Sequence, residues 1–174
     1  MASVRFRIAT GDDAAAIAAL VNSGYRGESS KQGWTTEADL LDGLRTDENE
    51  IRALIATDDA MTVLCIDENE IIGSVHIQRE GSSCYLSMLV VKPGLQGSGI
   101  GKQLIGAAED RARDTWSSSR MTMTVITIRT ELIAYYERRG YRRTGQMKPF
   151  VFDETHGIPR VAGIELEVLE KDLT

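Results

Sequence analysis

The segment that most constrains this 174-residue chain is Leu89-Val-Val-Lys-Pro-Gly-Leu-Gln-Gly-Ser-Gly-Ile-Gly-Lys102, an apolar run that breaks at Lys92-Pro93-Gly94 and reopens through spaced glycines. Tyr85 to Val91 is the most apolar strand-like stretch and reads as a central strand ended by that turn. From Gly99 to Trp116, residues Ile100, Leu104, Ile105, Ala108 and Ala112 recur at helical spacing. A buried strand therefore feeds a helix through a glycine-rich turn. Glycines at 97, 99 and 101 keep side chains out of that turn and free its dihedrals, so successive N–H groups can converge on phosphate oxygens. The positive end of the helix adds to this, and the segment reads as an anion site.

Spacing separates this site from two common phosphate loops. A P-loop needs GxxxxGK followed by Ser or Thr, whereas Gly97 and Lys102 are too close and Gln103 stands in place of the magnesium-holding hydroxyl. A dinucleotide fold needs GxGxxG, whereas Gly97-Ser-Gly-Ile-Gly101 gives GxGxG with no acidic ribose partner on a following strand.

The remaining pattern predicts a mixed α/β chain. Val4 to Ile8 alternates as a half-buried strand does, and Thr10-Gly-Asp-Asp starts a helix running to Gly24. Tyr25 to Gly33 is a polar loop, after which Thr36 with Asp39 and the apolar set Ala38, Leu40, Leu41 and Leu44 predict a second helix. A short third helix is expected at Glu48 to Ala56, then strands at Met61 to Ile66 and Ile71 to Gln78 around the turn Asp67-Glu-Asn-Glu. Beyond the glycine turn the pattern predicts a strand at Arg120 to Ile128, a helix at Glu131 to Arg139 capped by Gly140, and strands at Tyr141 to Thr144 and Ile164 to Leu169. No repeat or linker divides the chain, which reads as one domain over residues 1–174.

Composition narrows the setting. The apolar stretches are strand-sized, and the N-terminus lacks a basic leader followed by an apolar block, so neither a membrane nor secretion is expected. Cys65 and Cys84 stand in apolar runs without metal-ligand spacing and read as reduced core thiols of a cytoplasmic protein; no metal is expected. Twenty basic against 26 acidic residues give a net charge of −6, which disfavours nucleic acid; such a surface suits a cationic or amine-bearing partner, and solubility alone is its ordinary explanation.

Gln96-x-x-Gly99-x-Gly101 after an apolar strand, with Tyr135-Tyr-Glu-Arg-Arg-Gly-Tyr141 about thirty residues on, resembles the two-part signature of the GNAT (general N-acetyltransferase) acyltransferase superfamily. Gly27 to Thr35 also resembles a Gly-x-x-Ser-x-x-Gly-Trp-Thr segment of one subgroup. The resemblance spans the whole chain in element order. It implies a mostly antiparallel sheet of about seven strands, flanked by about four or five helices, with two central parallel strands splayed apart. It further implies acetyl-CoA as cosubstrate, direct transfer to the amine of a small molecule or peptide, and, as is common in such families, a homodimer.

Residue by residue, the resemblance implies cofactor contacts along Leu89, Val90 and Val91, at Gln96, Gly97, Ser98, Gly99, Ile100, Gly101 and Lys102, and at Arg129, which stands where relatives often carry Asn. A strand N–H near Leu89 or Val90 would face the thioester carbonyl. Tyr136 aligns with the tyrosine that protonates the departing thiolate; the ordinary reading beside it is a core aromatic on an apolar helix face, which its neighbour Tyr135 could equally be. The base that takes the amine proton is less legible, because Ser87 and Met88 stand where many relatives place Glu. Glu28, Glu131 and His76 are candidates, each with an ordinary structural reading beside it, and a water chain is another route. Glu28, Trp34, Phe150 and His156 are expected to shape the acceptor pocket. Arg138, Arg139, Arg142 and Arg143 form a basic cluster that either approaches the cofactor phosphates or is solvated. Two other readings stand beside the enzyme: a CoA-binding regulatory module without turnover, and a protein that binds a different nucleotide.

Overall fold

A computed structural model of the chain describes residues 3–25, 41–42, 45–150, 158–159 and 164–174. Strand β1 (Arg5–Ile8) leads through a 3-10 turn into helix α1 (Ala14–Tyr25). The Asp13 carboxylate fixes that corner, accepting two bonds from the Arg7 guanidinium at 2.8 and 2.9 Å and one from the Thr10 N–H at 2.8 Å. Strand β2 (Leu41–Asp42) follows, then helix α2 (Glu48–Ala56), whose N-cap Asp47 accepts from the Glu50 N–H at 2.8 Å.

Strands β3 (Ala60–Asp67), β4 (Glu70–Glu80) and β5 (Ser83–Val91) form an antiparallel meander. Helix α3 (Ile100–Trp116) crosses to β6 (Arg120–Ile126), and α4 (Thr130–Arg138) leads to β7 (Arg142–Pro149). Strands β8 (Ile158–Pro159) and β9 (Glu165–Asp172) complete the set. Seven strands make one sheet in the order β1-β3-β4-β5-β6-β9-β7, antiparallel except for β5 and β6.

The elements match the sequence expectations except at the second helix. Leu41 and Asp42 are extended and pair with Pro159 and Ile158, where a helix over residues 36–44 is predicted; the rest of that stretch lies outside the described residues. Adjacent leucines suit a strand as well as a helix, and pairing with a distant partner decides between them.

Two cores sandwich the sheet. On one face, Val75, Ile77, Leu86 and Met121 pack against Leu104, Ile105 and Ala108 of α3 and Ile133 and Tyr136 of α4. On the other, Leu64, Ile66 and Val90 pack against Ile17 and Val21 of α1 and Ile51 of α2. Cys65 and Cys84 are free and fully buried, and burial pushes their thiols up to about 11 and about 12, so both stay protonated.

The sheet opens at its middle. Strands β5 and β6 pair only at Ser83–Arg120, Cys84–Met121 and Tyr85–Thr122, and then part. On the other edge of β5, the register with β4 runs from His76–Ser87 to Ser74–Val90, so Met88 and Leu89 together oppose Val75. This bulge puts Met88 at φ 52°, a left-handed conformation for a side-chain-bearing residue. The bend it introduces lies in the part of β5 that has left β6.

Candidate active site

Two cavities line the opening, and Leu89 and Leu132 border both. The first, of about 360 Å³, is built around the glycine turn and includes Val91, Gln96, Gly97, Gly99, Gly101 and Lys102. Gly99 is the N-cap of α3 at φ 86°, a conformation that costs other residues about 1–2 kcal/mol. Gly101 is required by proximity, since a Cβ there would stand 2.7 Å from the Tyr135 hydroxyl. The start of α3 therefore lies directly against α4.

Tyr135 is the floor of a basic wall. Arg139 sits over its ring at 5.0 Å and Arg138 at 5.9 Å, and both arginines line the cavity with Lys102. Burial raises the Tyr135 phenol above its ordinary value, against the opposing pull of the two arginines. Bare backbone, a helix N-terminus and three cations suit a diphosphate.

The second cavity, of about 300 Å³, lies between the parted strands, lined by Leu86 to Leu89 of β5 and Met123 to Ile126 of β6. Tyr136 borders it, 5% exposed and edge-on to Tyr135 at 5.6 Å and to Tyr141 at 6.1 Å. Adjacent tyrosines on α4 thus serve different cavities. Arg45, Tyr85, Arg129, Pro149 and Phe150 also contribute to this cavity. Beside it, the Tyr85 hydroxyl and Thr124 Oγ1 are bonded at 2.8 Å across the two strands.

The residues singled out from the sequence separate on inspection. Leu89, Val91, Gln96, Gly97, Gly99, Gly101 and Lys102 line the glycine-turn cavity; Tyr136, Arg129 and Phe150 line the inter-strand one. The Val90 side chain is buried on the α1 face, where a Cβ on Gly24 would come within 2.3 Å of Val90 Cγ2. Ile100 is buried in the core under α3, and the Ser98 hydroxyl turns back to donate to the Leu95 carbonyl at 2.6 Å. Glu131 is exposed in the first turn of α4 and lines neither cavity. Glu28, Trp34 and His156 lie outside the described residues.

His76 lies within the sheet. Its Nδ1 is 2.9 Å from Thr62 Oγ1, its Nε2 is buried with no partner among the described residues, and burial pushes its pKa down to about 4. The basic cluster divides: Arg138 and Arg139 face the glycine turn, whereas Arg142 pairs with Glu170 at 2.8 Å and Arg143 with Glu167 at 2.5 Å. Among the described residues no group of His, Cys, Asp and Glu could hold a metal, and no helix is long and apolar enough to cross a membrane.

Arg45, Tyr85 and the Met88 bulge carry no motif that would single them out in sequence. Arg45 is nonetheless fixed: Asn22 Oδ1 accepts from the N–H groups of Arg45 at 2.8 Å and Thr46 at 3.1 Å, and Asn22 Nδ2 donates to the Thr46 carbonyl at 2.9 Å.

Comparison with known proteins accounts for this geometry. Residues 38–159 match the acetyltransferase (GNAT) domain family. An N-acetyltransferase from Staphylococcus aureus Mu50 superimposes with TM-score 0.72 at 12% identity, covering 99% of both chains. An acetyltransferase of the GNAT family from Streptococcus pneumoniae gives 0.69 at 20%, covering 99% of this chain and 100% of its own. The ribosomal-protein-S18-alanine N-acetyltransferase of Escherichia coli gives 0.73 at 12%, covering 99% and 95%. No curated protein matches the sequence. The chain belongs to the GNAT acetyltransferase family. It is an N-acetyltransferase dependent on an acyl-CoA donor, and it acts on an amine acceptor.

Proposed function

We propose that this enzyme transfers acetyl directly from acetyl-CoA to the primary amine of a small molecule or peptide, within one catalytic domain spanning residues 1–174, with Tyr136 as general acid. The observation that carries this reading is the α4 pair, which puts Tyr135 against the glycine turn and Tyr136 at the cavity lined by the bulged part of β5, beyond its pairing with β6. The buried thiols Cys65 and Cys84 support a reducing, cytoplasmic setting.

The residues at the glycine turn fit the cosubstrate: the N-terminus of α3 meets a diphosphate, while Lys102, Arg138 and Arg139 add charge. Acetyl-CoA, when bound, supplies the thioester whose acetyl group the amine takes. The edge of β5 beyond its pairing with β6 faces the gap between the two strands, where an extended arm would lie as a neighbouring strand does. An N–H at the Met88–Leu89 bulge holds the negative charge that develops on the carbonyl oxygen. Tyr136 delivers a proton to the leaving sulfur.

The amine must lose its own proton, and the described residues lining the inter-strand cavity include no carboxylate. Burial leaves His76 too weak a base for an ammonium near pKa 10.4. Glu28 from the N-terminal loop, or a water chain, serves instead. Trp34, Phe150 and His156 shape the acceptor side.

Thermal unfolding with acetyl-CoA, CoA, ATP and NAD in parallel tests this reading. Ligand at about one hundred times its dissociation constant stabilises by about 2.7 kcal/mol. A shift with the two CoA species alone is expected, and a shift with ATP or NAD alone would overturn it. Binding of acetyl-CoA without thiol release in the presence of any amine would instead support a regulatory CoA-binding module.

A further inference from the structure

The inter-strand cavity has a closed end, and that end is tied by a polar contact. Main-chain pairing holds β5 and β6 together at Ser83–Arg120, Cys84–Met121 and Tyr85–Thr122, and paired strands about 4.8 Å apart leave no room for a ligand between them. Past Tyr85 the strands part and the cavity begins. Among the described residues, Tyr85 is the first of β5 to line it and Met123 the first of β6. Behind this point Cys84 and Met121 are fully buried in the core. The gap is therefore a wedge, shut at Tyr85 and open towards Leu89 and the glycine turn.

One contact reaches into the wedge. The Tyr85 hydroxyl and Thr124 Oγ1 are bonded at 2.8 Å, although Thr122 is the residue level with Tyr85. The bond thus slants forward along β6, and its Thr124 end stands level with Ser87, about 7 Å of strand short of Leu89. Both side chains line the cavity and are partly buried. A methylene chain pushing between the two hydroxyls would break their bond and offer neither a new partner. An apolar wall yields to an apolar ligand more readily than such a pair does.

On the acetyltransferase reading above, the cosubstrate enters from the glycine turn and its thioester carbonyl lies at the Met88–Leu89 bulge, so the acyl group is carried towards the narrow end. We propose that the Tyr85–Thr124 pair determines acyl-chain length: it closes the wedge behind an acetyl or propionyl group and excludes hexanoyl and longer chains. The size of the cavity agrees, since about 300 Å³, at the small end for a metabolite site, holds both the acyl group and the amine.

Isothermal titration with CoA and with acetyl-, propionyl-, butyryl- and hexanoyl-CoA tests this without an acceptor. In a cleft open at this end, each added methylene would find apolar surface and tighten binding about fourfold. In the wild type the order is expected to run the other way, with hexanoyl-CoA about tenfold weaker than acetyl-CoA, on the scale of an overfilled core. Tyr85→Ala removes both ring and bond, and should reverse the order so that hexanoyl-CoA binds at least as tightly as acetyl-CoA. Tyr85→Phe and Thr124→Val keep the bulk and lose the bond, and should narrow the ratio to about threefold. A thermal shift with CoA, retained by each variant, shows that it is folded.

Wild-type binding of hexanoyl-CoA as tight as that of acetyl-CoA would overturn the proposal. So would a hexanoyl-to-acetyl ratio that stays at the wild-type value in all three variants, which would put the limit elsewhere in the site. Failure of both CoA and acetyl-CoA to bind the wild-type protein would fell the acetyltransferase reading itself, which keeps the two failures distinct.

Discussion

The two cavities share Leu89 and Leu132 but are made of different materials. The glycine-turn cavity is built on a bare glycine turn and a helix terminus, drawn from the continuous segment 89–102 and from Leu132 to Arg139 along α4. The inter-strand cavity is assembled from side chains far apart in sequence, reaching from Arg45 through β5, β6 and α4 to Leu166. A site that holds a fixed group by its backbone tolerates little change in conformation. A site that selects an acceptor through side chains can change its partner one residue at a time.

The largest effect expected from this division is at Tyr136. Tyr136→Phe should lower kcat about a hundredfold or more, in the range of a lost general acid, with the acetyl-CoA dissociation constant changed by less than about twofold. Stopped-flow turnover and isothermal titration on one preparation measure both. A large loss of cofactor affinity would merge the two cavities into one functional unit.

His76 offers the next effect and sharpens the boundary of the acceptor side. Its native pKa is pushed down to about 4, against about 6.5 in the unfolded chain. The unfolded state therefore binds more protons between these values, so the contribution of His76 is complete above about pH 6.5 and declines as pH falls towards 4. Relative to pH 8, about 2 kcal/mol should be lost by pH 5. Urea midpoints for wild type and His76→Gln should show that slope in the wild type alone. The variant should keep the wild-type pH dependence of kcat/KM above pH 5, because a group neutral throughout that range carries no rate change there. A limb that disappeared with His76 would place it in the chemistry.

Gly99→Val comes third. A β-branched residue at φ 86° costs about 1–2 kcal/mol and adds bulk at the helix terminus, so acetyl-CoA affinity should fall about tenfold. The wild-type preference among acceptors should survive at saturating acetyl-CoA, which a rate comparison over a panel of amines would measure.

How much of this could be read from the sequence follows the same division. The glycine turn, the apolar β5 and the face of α3 from Ile100 to Ala112 are local patterns, and local patterns survive folding. Local spacing also misled once, at Leu41–Asp42, where pairing with Ile158–Pro159 replaced an expected helix turn. The early parting of β5 and β6 and the left-handed Met88 arise from tertiary register, which no single stretch encodes. Arg45 owes its fixed backbone to Asn22, 23 residues away, and nothing around it marks it as part of a site. Glu131, a candidate base whose ordinary reading is a solvated carboxylate, is exposed in the first turn of α4 and is not among the residues lining either cavity.

Tyr135 carries the smallest expected effect and the sharpest test of the boundary. Its ring supports Arg138 and Arg139, and its hydroxyl is the atom that a Cβ at position 101 would meet at 2.7 Å. Tyr135→Phe keeps the ring and removes that hydroxyl, so kcat should stay near wild type and acetyl-CoA affinity should change by less than about threefold, under 1 kcal/mol. Gly101→Ala alone should weaken acetyl-CoA binding by displacing the hydroxyl or the start of α3. In the Tyr135→Phe background the same substitution should cost less, because the nearest remaining atoms, Val91 Cγ2 at 3.7 Å and Tyr135 Cζ at 3.8 Å, are at ordinary contact distance. A double-mutant cycle on the acetyl-CoA dissociation constant reads that coupling directly. Additive losses would mean that α3 and α4 do not meet through this pair, and a fall in kcat matching that of Tyr136→Phe would remove the distinction between the two tyrosines.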